Sequence, residues 1–360
     1  EEIAIKLFTE GNPIDSLVLA GQIGLVENEI DDSAITTGEQ ISKFSLEEIQ
    51  ASAIEKVLFT QIDVEQSIRV IKALKASGEH VAVVGTSIKD LEIMQIADLG
   101  ITSKGSSPTV LHQADMIVLK GSFNALADAL QKGQRIVNGV MDVLKLNLTR
   151  IAYTLILVIA MYIAGERTFF IHPAQGGTIS VFTIILPSIM LSLWASPMAV
   201  DGKNMTRLLF HFITPAAIIT SIFVLIINFI FKRLGNDIPT TQLFIMHLLM
   251  VIGQFLVVFV QPPVRFLVGG DDFNGKWQPA IAALVLYLIF HFITYVPLAQ
   301  RLLRIAPLPS LQDYLLIIVI TLVWAILVVG IWHLVWPERY MHSKLKPDDD
   351  HSIEGFINPP

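Results

Sequence analysis

The 360-residue sequence contains no cysteine. This excludes disulfides and thiolate metal sites and says little about compartment. Positive charge is not in excess either: 25 Lys and Arg stand against 32 Asp and Glu, a net charge of −7. Non-specific nucleic-acid binding needs a basic surface, so no nucleic-acid partner is expected. No signal-peptide pattern opens the chain. Its first residue is Glu rather than Met, and we expect a segment to precede it. Apolar residues are abundant, at 53%. They are concentrated beyond about residue 140, so two domains of different solvent class are expected.

The first part alternates strand-like and helix-like patterns. "IAIKLFT" (3–9) reads as a buried strand, and "NPIDSLVLAGQIGL" as a helix with Asn12 at the N-cap and Pro13 at the first helical position. "KVLFTQI" (56–62) predicts a second strand. "DVEQSIRVIKALKASG" predicts an amphipathic helix, with Asp63 as N-cap, Gly78 just past the end, and Ile68, Ile71 and Leu74 at helical spacing. Further strands are expected at 80–84, 99–102 and 115–119, with a helix from about Ile88 to Ala97. Between Asp31 and Ala53 lies a segment read as irregular. Strands alternating with helices indicate a parallel, doubly wound sheet.

The second part holds six apolar runs long enough to cross a bilayer, which takes roughly 20 residues each. They lie at about 147–165, 179–199, 211–231, 241–261, 279–299 and 314–336. The first continues from "LQKGQRIVNGVMDVLKLN", so a stalk extending the membrane helix is expected. With the soluble part in the cytoplasm, the inner flanks hold Lys132, Arg135, Lys145, Lys203, Arg207, Arg265, Lys276, Arg339, Lys344 and Lys346. The outer loops hold Arg167, Lys232, Arg233, Arg301 and Arg304. The bias favours both termini in the cytoplasm. The acidic tail "KPDDDHSIEGFINPP" is expected to be flexible.

"QADMIVLKGSFNALADALQKGQRIVNGV" and "EQSIRVIKALKASGEHVAVVG" resemble the C-terminal half of a P-type cation-transporting ATPase. The first looks like the run from the last core strand into the stalk, the second like the approach to the family's hinge motif. The resemblance covers nearly the whole chain. The membrane half, with "FTIILPSIMLSL", is similar to bacterial members such as the mycobacterial calcium-pump group. This implies an α/β Rossmann-like cytoplasmic domain of haloacid-dehalogenase type fused to an all-α bundle of six transmembrane helices. Its parts would be a partial phosphorylation-like domain (1–125), a stalk (126–146), the membrane helices (147–337) and a cytoplasmic acidic tail (338–360).

The catalytic motifs depart from the family pattern. The hinge motif is GDGxND, and its first Asp binds magnesium. Here the positions read Gly85, Thr86, Ser87, Ile88, Lys89 and Asp90. Magnesium requires hard carboxylate oxygens in near-octahedral geometry; a Thr hydroxyl is a poor replacement, and Lys89 adds positive charge. The TGD motif appears as "TEG", keeping Thr9 but placing Gly11 where the Asp would be. The SPxxK motif appears as "DVEQS", with Ser67 at the Lys. The phosphorylated Asp of DKTGT is absent from the sequence, as is the nucleotide-binding domain. The expected reading is a folded, inert domain; an alternative is that Lys89 contacts a phosphate at a helix N-terminus. The "TTGEQI" stretch, Thr36 to Ile41, is read as structural rather than as an actuator motif.

In the membrane, ionisable residues are functional candidates by default, but the first two spans carry no Asp or Glu in their cores. They offer Asn147, Thr149, Ser188, Ser192 and Ser196 as a polar set, with Pro187 and Pro197 to free carbonyls. Arg150 is expected to snorkel to the interface. His247, Gln254 and His291 are read as interhelical hydrogen-bond partners. Trp194, Trp324, Trp332 and Trp336 are read as residues of helix ends and interfaces, and His172 as an outer-loop residue.

The function expected is a catalytically inactive, ATPase-derived protein of the cell membrane. It would need no cofactor and serve as a structural or accessory subunit among other integral membrane proteins in the lipid bilayer. The small and polar residues Thr214, Ala216, Ala217, Ser221, Ala280, Ala282 and Ala283 are the contact faces expected for such partners. Two alternatives stand beside it: the C-terminal half of an active or split pump, which would use magnesium and ATP, and a non-hydrolysing nucleotide or phosphate sensor.

Overall fold

The computed structural model describes residues 3–25, 35–119, 124–166, 168–197, 205–264, 267 and 275–335. The acidic tail, Trp336 and the flanking charges Arg167, Lys203, Arg265, Arg339, Lys344 and Lys346 lie outside the described residues. The chain divides into two compact units, Glu1–Leu130 and Gln131–Pro360.

The first unit is a small parallel-sheet domain. One sheet contains β1 (Leu7–Thr9), β3 (Leu58–Thr60) and β2 (Ile35–Thr37) in the order β1-β3-β2, all parallel. The other contains β4 (Ala82–Val84), β5 (Leu99–Ser103) and β6 (Met116–Val118) in that order, again parallel. The alternation is as expected, but the first strand pairs over 7–9 rather than 3–9. A strand at a sheet edge has one neighbour, and Ile3 and Ile5 remain exposed.

Between the strands lie α1 (Pro13–Gln22), α2 (Gly38–Lys43), α3 (Leu46–Glu55), α4 (Val64–Ala76), α5 (Leu91–Ile96) and α6 (Pro108–Gln113). The stretch read as irregular is therefore ordered from residue 35. Thr37 with Gln40 and Ser45 with Glu48 form reciprocal capping boxes that satisfy the first amides of α2 and α3. Asn12 caps α1, accepting from the Ile14 amide at 3.1 Å, and Asp63 caps α4. The core packs Ile41, Ile49, Ala53, Ile62, Val70, Ala73 and Leu74 around the fully buried Phe59. Phe8 meets Phe59 edge to face at 5.1 Å, a favourable geometry for two ring quadrupoles.

The second unit is mostly helical. Its elements are α7 (Asn124–Ala164, beginning within the first unit), α8 (Pro173–Ser180), a π-helical segment (Val181–Ile185), α9 (Leu186–Trp194), α10 (Met205–Arg233), α11 (Ile238–Val260), α12 (Gln278–Ile293), α13 (Pro297–Leu303) and α14 (Leu311–Val335). Among the described residues five helical spans are long and apolar enough to cross a bilayer. The fifth expected span is not one straight helix: α12 and α13 meet at a 95° bend, where Pro297 starts the second helix. Counting that pair as one span gives six.

The core of this unit corrects two expectations. Trp324 and Trp332 are fully buried rather than interfacial. Trp324 Nε1 donates to Thr220 Oγ1 at 3.0 Å, so its polar tip has a partner inside. Trp332 stacks on Phe212 at 4.9 Å. The small residues expected to face partners are also turned inward: Ala216, Ala217, Ser221, Ala282 and Ala283 are buried, and of that set only Thr214 is exposed. Small residues let helices approach closely, and here that capacity is used within the unit.

Candidate functional site

The loop after β4 is built around Gly85. A Cβ there would lie 2.6 Å from Asp90 Cβ and 2.7 Å from Met94 Sδ, so only glycine fits. Asp90 folds back over the loop, and its Oδ2 accepts from the amides of Thr86 and Ser87, each at 2.9 Å. Ser87 Oγ accepts from the Lys89 amide at 3.3 Å. A single turn of 3-10 helix (Ile88–Asp90) follows, then α5. Two consecutive backbone amides in such a turn form a concavity suited to an anion; here the anion is the chain's own carboxylate.

The loop after β1 meets this one. Lys89 Nζ pairs with Glu10 Oε1 at 3.0 Å and Oε2 at 3.3 Å. Both side chains are about two-thirds exposed, so the pair contributes about 0–1 kcal/mol and marks proximity more than stability. Thr9 Oγ1 accepts from the Gly11 amide at 3.0 Å. A Cβ on Gly11 would sit 3.1 Å from that oxygen and 3.3 Å from Ser16 Oγ. Thr9, Gly11, Gly85, Thr86, Lys89 and Asp90 thus lie at the C-terminal ends of β1 and β4 and in the turns that follow, which the Glu10–Lys89 pair links. Ser67 is buried in α4, where its hydroxyl donates to the Asp63 carbonyl at 2.8 Å. Beneath the loop, buried Thr102 donates to the Gly85 carbonyl at 2.7 Å.

The start of β4 is held by charge. Asp98 accepts from the Val81 amide at 2.9 Å and pairs with Lys75 at 2.9 Å. The amide first, then Lys75, hold its carboxyl below the ordinary 3.8. Partial burial lowers the Lys6 ammonium from its ordinary value; it donates to the Lys56 carbonyl at 2.7 Å.

In the membrane unit the polar set does not converge on a common point. Asn147 donates to the Val143 carbonyl at 2.9 Å, Thr149 to the Lys145 carbonyl at 2.6 Å, and Ser192 to the Ser188 carbonyl at 2.8 Å, each within its own helix. The Ser188 hydroxyl is buried and has no partner among the described residues. Arg150 does not snorkel. Its Nη2 donates to the Gly176 carbonyl at 2.8 Å, and it lines a cavity of about 10 Å³ with Tyr153, Thr183 and Gly253. Next to it, Gln254 Nε2 donates to the Phe182 carbonyl at 3.0 Å. That carbonyl lies in the π segment five residues before Pro187, the position whose missing amide would have satisfied it. His247 Nε2 meets the Ala306 carbonyl at 2.9 Å. His172 caps α8, accepting from the Ala174 amide.

Hydropathy alone did not reveal a buried ionic group. Lys145, counted as a flanking charge, is buried and pairs with Asp142 at 3.5 Å. Asp142 also accepts from Gln261 Nε2 at 2.6 Å. Lys145 and Asp142 stand at i, i+3 on α7, the spacing that places two side chains on one helix face. Among the described residues no group of three or more His, Cys, Asp or Glu is placed to hold a metal ion.

No protein-family model matches the chain. Over 202 residues, 54% of this chain, it is 24% identical to "Calcium-transporting ATPase CtpE" of Mycobacterium bovis, covering 24% of that protein. Over 199 residues, 53% of this chain, it is 28% identical to "Probable cation-transporting ATPase F" of Mycobacterium tuberculosis, covering 21%. Over 161 residues, 44% of this chain, it is 25% identical to "Probable cation-transporting ATPase exp7" of Streptococcus pneumoniae, covering 20%. The aligned stretch therefore spans a quarter or less of these relatives' own length.

Proposed function

We propose that this chain, similar to part of a P-type cation-transporting ATPase and a multi-pass membrane protein by its apolar helices, is a catalytically inactive relative acting as an accessory subunit in a membrane complex. The reading takes the parallel-sheet unit as a haloacid-dehalogenase-type domain and the helical unit as a six-helix bundle. It sets the chain in the cell membrane with both termini cytoplasmic, needing neither magnesium nor ATP, beside other integral membrane proteins. One observation carries it. The two carboxylates that the paired loops hold are already engaged, Asp90 by the Thr86 and Ser87 amides and Glu10 by Lys89. Magnesium holds phosphate through free carboxylate oxygens, and a phosphate would have to displace Asp90 from the amides.

Titration calorimetry of the whole chain in nanodiscs, with magnesium and a phosphate analogue, tests this. We expect no magnesium-dependent binding. Micromolar binding that is lost in Asp90→Asn would reverse the reading in favour of the second one, a part of an active cation pump. That reading is favoured by the transport activity in the relatives' names.

A further inference from the structure

Arg150 carries a full positive charge into the membrane unit. It stands on α7 roughly 21 Å along the helix axis from Ala164, the last residue of that helix. Its Nη2 donates to the Gly176 carbonyl at 2.8 Å, which supplies a dipole and not a counter-charge. Its Nη1 is buried and has no hydrogen-bond partner among the described residues. Asp142, roughly 12 Å away along the same helix, already pairs with Lys145 and accepts from Gln261. An isolated buried charge is costly, and an ionised side chain at membrane depth normally has a partner of opposite sign.

The cavity that Arg150 lines has a volume of about 10 Å³, room for one particle of about the size of a water molecule. Its walls come from α7, the π segment and α11. They are Tyr153, Thr183 and Gly253 with leucine and isoleucine side chains, and among the described residues no carboxylate lines it. Gln254 is outside the wall, with its Nε2 on the Phe182 carbonyl. The Thr183 hydroxyl donates to the Ile179 carbonyl at 2.8 Å. The side-chain protons left for a guest are therefore those of Arg150 Nη1 and the Tyr153 phenol. Gly253 closes one side: a Cβ there would lie 2.4 Å from Thr183 Cγ2, so a larger residue would push α11 off the π segment. Hydrogen-bond donors around a fixed cation, in an otherwise apolar wall, select a negative guest.

We propose that this cavity binds one monatomic anion of the halide class, held by Arg150 Nη1 and the Tyr153 phenol as the counter-ion of the guanidinium. The size of the cavity sets the class, because sulfate, phosphate and organic carboxylates are all larger than the space between α7, the π segment and α11. The bound ion neutralises Arg150 where the three segments meet and so favours their packed arrangement. Its sign is opposite to that of the calcium or cation in the relatives' names. The site lies wholly in the second unit, so it stands or falls independently of whether the loops of the first unit bind magnesium and phosphate.

Thermal unfolding of the whole chain in nanodiscs, followed by tryptophan fluorescence, tests it. Sodium chloride or bromide is titrated against sodium gluconate at constant ionic strength. We expect a saturable rise in Tm of about 3–6 °C at tenfold the half-saturating halide concentration, and none with sulfate. Arg150→Gln should erase the halide dependence and Arg150→Lys should retain it. Anomalous diffraction from bromide-soaked crystals of the parent chain provides a readout that needs no variant to fold: a bromide within hydrogen-bond distance of Arg150 Nη1 is expected. A Tm indifferent to halide, an equal rise with sulfate, or an equal rise in Arg150→Gln would overturn the proposal. So would a water alone at the bromide position.

Discussion

Replacing Lys145 by Met keeps the length and the apolar stem of the side chain but removes its charge, and with it the contact to buried Asp142 at 3.5 Å. At that separation and an effective dielectric of about 20, the attraction is about 5 kcal/mol. Much of it offsets the desolvation of two groups that are only 3% and 8% exposed as residues, so the intact pair adds little net stability. Breaking it is another matter: removing one charge of a buried pair costs about 3–5 kcal/mol. Asp142→Asn, which keeps the Gln261 contact, should cost a similar amount by removing the carboxylate charge beside Lys145. The double variant should recover most of the loss, giving a coupling of about 3 kcal/mol in the cycle. Equilibrium unfolding in mild detergent, followed through the buried Trp324 and Trp332, measures each term. Single variants within about 1 kcal/mol of the parent, or a double variant no better than the singles, would refute the reasoning.

Gln254→Met preserves volume but leaves the Phe182 carbonyl without its donor; a loss of about 1–2 kcal/mol is expected in the same unfolding assay. The first unit should lose stability in acid through Asp98. Its folded pKa lies below 3.8, so its contribution is present above that value and fades as pH falls through the lower folded pKa. Asp98→Asn should flatten that part of a pH titration of unfolding; an unchanged acid limb would show that Asp98 is not among the groups responsible.

What the sequence disclosed depends on how local the signal is. The caps at Asn12 and Asp63 are read from a few adjacent residues, and both stand where expected. The capping boxes at Thr37 and Ser45 were equally local, yet α2 has only 6 residues and α3 only 10. These are too few for a hydrophobic period to identify the segment as helical. The Ser107–Pro108 start of α6 is local in the same way, and its 6 residues are too few for a period. In the membrane unit, hydropathy located the spans but not their partners. Nothing near Arg150 in sequence points to the Gly176 carbonyl, nor anything near Trp324 to the Thr220 hydroxyl 104 positions away. The loop motifs were legible as departures from a pattern. That Asp90 would turn its carboxylate onto the Thr86 and Ser87 amides was not, because the pattern assigns residue types and says nothing of how an altered loop closes.

The bend between α12 and α13 bears on the lipid itself. A 16-residue helix rises about 24 Å, against a hydrocarbon core of about 30 Å. The chain then turns through 95° into a short helix that exposes Leu298 and Leu302 and carries Arg301 and Arg304 at its end, a pattern suited to lying in the headgroup plane. With the pair crossing as one span, as proposed above, lipids beside α12 would shorten to meet it, at a fraction of a kcal/mol per Å. Summed over that side of the protein, such a mismatch would favour thinner bilayers and short-chain lipids around one flank, making membrane thickness a variable to which this chain would respond.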